Sequence, residues 1–170
     1  MVDFSERIIG HYEHHAVAWD ADRQNSYWND KCWHDRFIET LPRGTRVLDL
    51  GCGSGSPVAR HLVDQGLQIT GVDGSASMIV LAAARLPAQE WIVADMRSLS
   101  LGRQFGGILA WDSFFHLNPS SQRGMFAVFA RHAGPETVLM FNTGPTHGEA
   151  IGSYRGDPLY HASLEHCLIW

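Results

Sequence analysis

The sequence predicts an α/β fold: a doubly wound, mostly parallel sheet of about five strands, preceded by N-terminal helices. Three observations predict it. From Arg46 onward, short apolar runs alternate with amphipathic helical stretches. A turn with glycine at every second position follows the first apolar run, and a lone carboxylate, Asp73, closes the second. Strand–helix alternation of this kind specifies parallel pairing with right-handed crossovers.

The first forty residues read as helical. Phe4, Ile8 and Tyr12 recur at i, i+4, and Trp33, Phe37 and Leu41 repeat the spacing in a second helix. "LPRGTR" ends that region, because Pro and Gly both punctuate helices. "RVLDL" is the first strand. Ser56 is expected to cap the next helix with Pro57 at its first position, and Gly66 to stop it. "LQITGVD" is the second strand, and Ser75 caps a helix carrying Met78, Ile79, Ala82 and Ala83 on one face. "EWIVAD" and "GGILAWD" are the third and fourth strands. A helix with Met125, Val128 and Phe129 inward then leads to the fifth, "TVLMFN". The segment from Gly144 to His161 reads as a polar, Gly-rich loop.

The 170 residues suit one domain with a sizeable core. A formal net charge of −5 gives no electrostatic footprint for nucleic acid. No apolar run approaches the ~20 residues of a membrane helix, and the N-terminus lacks the basic start and apolar core of a signal peptide. Cys32, Cys52 and Cys167 form no CxxC pair, so a reduced, cytoplasmic setting is expected.

In open parallel sheets, ligands sit beyond the carboxyl ends of the strands. After the first strand come Asp49, Leu50, Gly51, Cys52, Gly53, Ser54 and Gly55. Glycines there admit positive φ and a close ligand, and the exposed amides favour an anionic group. A tight turn alone is the plainer alternative. Asp73, twenty residues after Gly53, suits a carboxylate gripping ribose hydroxyls, or else a simple cap before "GSAS". The third glycine is misplaced for the dinucleotide pattern GxGxxG. Asp49 beside the turn would repel a pyrophosphate but could orient a cationic amino group. Both features count against a nicotinamide-dependent oxidoreductase.

"VLDLGCGSG", "GVDGS", "VADM" and "ILAWDSFFHL" together resemble the class I S-adenosylmethionine-dependent methyltransferases of small-molecule type, in their usual order. The resemblance covers roughly residues 46–142 and implies a Rossmann-like methyltransferase sheet. It makes residues 1–45 a helical lid, 46–142 the cofactor-binding core and 143–170 a partial acceptor-side segment of one domain. Carried over by position, it implies S-adenosyl-L-methionine as cofactor and S-adenosyl-L-homocysteine as product. Asp49, Gly51, Cys52 and Gly53 would line the methionine part, with Asp73 and Gly74 at the ribose. Asp95 would meet the adenine amino group, the Met96 amide a ring nitrogen, and Met78 the adenine face. Trp111 and Trp19 would face the sulfonium, while Tyr12 reads as core packing. His116 is the candidate general base. Asp112 and His116 lack further ligands at metal-binding spacing, so no metal is expected. His14 and His15 read as a solvated helix face. His147, Tyr154 and Tyr160 are candidate acceptor contacts, or ordinary loop residues.

The acceptor is a small molecule of unspecified nucleophile, with neither nucleic acid nor membrane as partner. One departure stands out: the residues after Asn142 look too few for the helix and antiparallel strand pair that complete the family fold. The fifth strand would then be an open apolar edge, inviting a homodimer through that edge. A catalytically impaired remnant that binds the cofactor as a sensor or assembly partner is the rival from another functional class.

Overall fold

The computed structural model describes residues 4–144 and 147–164; Cys167, among the sequence candidates, lies outside them. Two helices lead, α1 (Ile8–Asn25) and α2 (Lys31–Glu39). Then come β1 (Arg46–Leu50), α3 (Val58–Asp64), β2 (Gln68–Asp73), α4 (Ala76–Arg85), β3 (Glu90–Val93) and β4 (Phe105–Ala110). The chain continues with α5 (Pro119–His132), β5 (Ala133–Phe141), β6 (Gly148–Tyr154) and β7 (Asp157–Ser163).

The first five strands form one parallel sheet in the order β3-β2-β1-β4-β5. Strand order reverses between β1 and β4, which opens a crevice at their carboxyl ends. Both central strands are buried on both faces: Val47, Leu48, Leu50, Ile108 and Leu109 have no exposed surface. That is why they read as unbroken apolar runs rather than alternating ones. One core layer packs Leu48, Leu50 and Ile108 against Met125, Val128 and Phe129 of α5. The other packs Val47, Ile69 and Leu109 against Leu62 of α3 and Phe37 of α2.

Local chemistry sets most helix ends. Ser75 Oγ accepts from the Met78 amide (3.1 Å) and caps α4. Asn118 Oδ1 accepts from the Ser121 amide (2.8 Å), with Pro119 opening α5. Gly66, at φ +88°, stops α3 as expected. Ser56 does not cap α3. The helix starts one residue later than its sequence suggests, and Pro57 holds the cap position with no side-chain acceptor to offer.

Two further expectations are corrected. Trp33 stays half exposed (49%) while Phe37 is buried, so α2 buries a narrower stripe than the i, i+4 pattern implied. The segment after β5 is not a loop: β6 and β7 form an antiparallel hairpin, registered from Gly148↔Ser163 to Tyr154↔Asp157. Its two-residue turn is Arg155 (φ 50°) and Gly156 (φ 90°). Two left-handed residues in succession give the turn whose twist matches paired strands. Arg at the first of these positions hides the signal that Asn-Gly or Asp-Gly would have shown. The hairpin forms a sheet of its own, so β5 remains an edge of the five-stranded sheet among the described residues.

Candidate functional site

The crevice at the carboxyl ends of β1, β2 and β4 opens into a cavity of about 1060 Å³, counting its mouth. The twelve cofactor-binding and general-base candidates line it: Asp49, Gly51, Cys52, Gly53, Asp73, Gly74, Met78, Asp95, Met96, Trp111, Trp19 and His116. Residues from five separate stretches of chain therefore meet at one place.

The floor is the glycine turn. Gly51 sits at φ +74°, and a Cβ there would lie 2.2 Å from the Ser113 Cβ, so only glycine fits between β1 and the loop after β4. Gly53, at φ +53°, differs: a Cβ there would have nothing within 4 Å and would project into open space. Its glycine keeps the backbone bare where a ligand can lie against it. The Gly53 amide donates to Asp73 Oδ2 (2.9 Å), and the Ser75 amide donates to Asp73 Oδ1 (2.9 Å). Asp73 thus braces the turn and the start of α4 while facing the cavity. Burial pushes its pKa up despite these two bonds.

Asp49 is 3% exposed. Burial, with the Asp73 charge second, pushes its pKa up to about 7. A carboxyl so placed gains from a cationic ligand group. Burial likewise pushes the Cys52 thiol well above its ordinary range, which keeps it protonated at neutral pH. Met78 is 1% exposed and forms the far wall. Both Asp95 oxygens accept from Arg97, at 2.7–3.0 Å, and against burial this holds the carboxyl below its usual range. The expected contact from Asp95 to an adenine amino group therefore shares its acceptors with Arg97.

The roof is α1. Glu13 caps α4 from across the crevice: its Oε2 accepts from Ser75 Oγ (2.7 Å) and the Ser77 amide (3.0 Å), and its Oε1 from Ser77 Oγ (2.6 Å). The bonds from Ser75 and Ser77 hold its pKa down to about 2. Asp20 is 8% exposed and ties the glycine turn to α4, accepting from Ser54 Oγ and from Arg85 Nη2 (2.9 Å). Arg23 donates to Asp112 Oδ2 (3.1 Å). Asp112 itself holds φ 51° at the end of β4, where the Asn142 side chain both receives its amide and donates to its Oδ1 (2.8 Å each).

Tyr12 was expected to be core packing. Instead it lines the cavity, and its hydroxyl donates to His116 Nε2 (2.7 Å). His116 Nδ1 donates to the Tyr160 carbonyl (2.8 Å), which leaves Nε2 as the acceptor. Burial pulls the His116 pKa down to about 4, so the ring is neutral around pH 7. Trp19 meets Tyr12 edge-on at 5.2 Å. Trp111 Nε1 is buried with no hydrogen-bond partner among the described residues.

The remaining candidates fall elsewhere. Tyr154 and Tyr160 belong to the hairpin, and His147 precedes it; none of them lines the cavity. His15 is not on a solvated face. It is 8% exposed, and its Nε2 donates to Asp157 Oδ2 (2.7 Å). Arg23, Asp112 and Tyr12 are cavity residues that the sequence reading missed or set aside. Arg23 meets Asp112 across 89 residues and Tyr12 meets His116 across 104, beyond any local pattern.

A family model described as "Methyltransferase domain" matches residues 47–136. The chain is 33% identical over 101 residues to a dTDP-3-amino-3,6-dideoxy-alpha-D-glucopyranose N,N-dimethyltransferase of Streptomyces fradiae, covering 58% of this chain and 39% of that one. It is 32% identical over 140 residues to a malonyl-[acyl-carrier protein] O-methyltransferase of Enterobacter lignolyticus, covering 81% and 50%. The chain thus spans half or less of these two relatives. Among solved structures, a DhpI–SAH complex superposes with a TM-score of 0.71 at 20% identity, over 95% of this chain and 80% of that one. That likeness shows the shared fold. The family match spans the strand ends that build the cavity, and it sets aside the oxidoreductase reading. The chain belongs to the class I S-adenosylmethionine-dependent methyltransferases.

Proposed function

We propose that the cavity holds S-adenosylmethionine and that the protein moves its methyl group to a small-molecule acceptor. One observation carries this reading: a bare glycine backbone, a buried Asp49 and an aromatic wall meet at the switch point of the sheet. The donor set fits the cofactor. Gly53 leaves room at the backbone, Asp49 offers a carboxylate to an amino group, and Asp73 presents its oxygens at the end of β2. The cofactor supplies a methyl already activated on a sulfonium, so the protein's work is positioning and exclusion of water.

Trp19, Tyr12 and Trp111 turn aromatic surface toward that region, where a cation over a ring face gains about 0.5–2 kcal/mol. If the acceptor carries a proton, Tyr12 Oη receives it as its own proton passes to His116 Nε2. Burial keeps His116 Nε2 unprotonated at neutral pH, which leaves it open to that proton but lowers its basicity. The open β5 edge, with Leu139 36% exposed, supports a homodimer paired through that strand. The free thiols of Cys32 and Cys52 support a reducing, cytoplasmic setting.

Calorimetry tests the cofactor: S-adenosylhomocysteine binds and NADH does not. Asp73→Ala should weaken binding by about 1.5–3 kcal/mol, the worth of a charge-assisted hydrogen bond. Unchanged affinity in that variant would remove Asp73 from the ribose. Tyr12→Phe should lower kcat with little change in cofactor affinity. Binding without turnover over a panel of amino, hydroxyl and carboxylate acceptors would favour the sensor reading over the enzyme. A monomer by sedimentation at high protein concentration would overturn the dimer.

A further inference from the structure

Outside the cavity, three metal-ligating side chains converge where the roof helix meets the hairpin. His11 and His15 stand one turn apart on α1, and Asp157 is the first residue of β7, directly after the Arg155–Gly156 turn. One ligand atom from each lies within 4.8 Å of the others. The His15 Nε2–Asp157 Oδ2 pair is already at 2.7 Å, and the His11 and His15 rings are 4.8 Å apart. An ion pair between His15 and Asp157 accounts for only two of the three. His11 Nε2 is buried with no hydrogen-bond partner among the described residues, which costs free energy unless something fills the gap.

We propose that His11, His15 and Asp157 form a binding site for a divalent transition-metal ion of the zinc class. Histidines at i and i+4 face the same way on a helix, so their imidazoles can share one ion. Two imidazoles and one carboxylate suit zinc or cobalt(II) over magnesium or calcium, which prefer all-oxygen sets. Metal–ligand bonds of about 2.0–2.2 Å require the three atoms to settle at near-equal spacing. Asp157 can make that adjustment: its side chain is 54% exposed and it sits beside a turn. Water would complete the coordination.

The site acts as a clamp. The hairpin already touches α1 nearby, where the Tyr154 hydroxyl donates to Asp22 Oδ2 (2.5 Å) and Arg155 Nη2 reaches the same carboxylate (3.2 Å). A metal at this place draws His11 into the existing His15–Asp157 tie on the same side, strengthening the fastening of roof to hairpin without entering the cavity.

The test uses the full chain, stripped with chelator and titrated with cobalt(II). One equivalent should bind with the visible absorption of a low-symmetry, nitrogen–oxygen site, and zinc should displace it while raising the unfolding temperature. His11→Ala and His15→Ala should each weaken binding by about tenfold or more, and so should Asp157→Asn, which alters only an exposed side chain. His14→Ala, next to His15 and three residues from His11 along the chain, should bind as the parent does. Failure to bind one equivalent, or equal loss in His14→Ala and Asp157→Asn, would overturn the proposal. Should His15→Ala not fold, Asp157→Asn decides the matter alone.

Discussion

The floor and the roof of the cavity are built by opposite means. The floor, from β1 through Asp73, is held by backbone geometry inside an apolar core: Leu48, Leu50 and Val72 have no exposed surface, and Gly51 fits where no side chain could. The roof, α1, buries chiefly polar groups. His15, Ala16 and Asp20 are its buried residues, and its ties to the rest of the molecule are hydrogen bonds and ion pairs through Glu13, Asp20, Arg23 and His15. Apolar close packing is lost all at once, whereas polar ties can be exchanged for water one by one. A rigid floor under a releasable roof follows from that difference.

The difference can be broken from either side. The largest effect should come from the floor. Gly51→Val combines left-handed strain with a clash against Ser113, and should cost about 3–5 kcal/mol in stability. Denaturant unfolding measures it, and a loss below about 1 kcal/mol would mean that the floor yields as the roof does.

Asp49 gives the next effect, through pH. Its folded pKa is raised to about 7, so the folded state disfavours the ionised carboxyl. Stability from this group is intact below pH 4, falls as pH rises toward 7, and stays lost above it. The shift is on the order of 4 kcal/mol across that window. Asp49→Asn should flatten that part of the curve. A cationic ligand should restore stability at pH 8 in the parent but less so in Asp49→Asn.

For the roof, Asp20→Ala should cost about 2–3 kcal/mol, because it leaves Arg85 Nη2 and Ser54 Oγ without their carboxylate acceptor. Hydrogen exchange should quicken in α1 while β1 keeps its protection. Equal quickening in both would show that floor and roof open together. The smallest effect belongs to Glu13, which is exposed. Its folded pKa is lowered to about 2, so the contribution is present above pH 4.5 and fades as pH falls toward 2. Glu13→Gln should loosen the first turn of α4 and leave the global unfolding midpoint nearly unchanged.

The floor was legible in the sequence and the roof was not, for the same physical reason. Gly51, Gly53 and Asp73 act through their own backbone neighbourhood, and their spacing survives in one dimension. Ser75 and its cap to Met78 are likewise local. The Tyr12–His116 pair spans 104 residues and the His15–Asp157 pair 142, so no periodicity connects them. His15 looked like a solvated face because it lies beside Glu13 and His14 and outside the i, i+4 series of Phe4, Ile8 and Tyr12. The hairpin escaped notice because its strands carry exposed polar residues on β6, and because Arg155 stands where a turn-forming Asn or Asp would have announced it.

The position of α1 also bears on the traffic of ligands. Tyr12 and Trp19 face into the cavity from a helix tied down at Glu13, Asp20 and Arg23. In the proposed reading, a cofactor seated on the glycine floor lies beneath them, and its passage on that side strains those ties. The expected outcome for the proposed enzyme is turnover set by the lifting of that helix rather than by methyl transfer. Solvent viscosity would slow it, and weakening the ties at Asp20 would speed product departure even as it lowers stability.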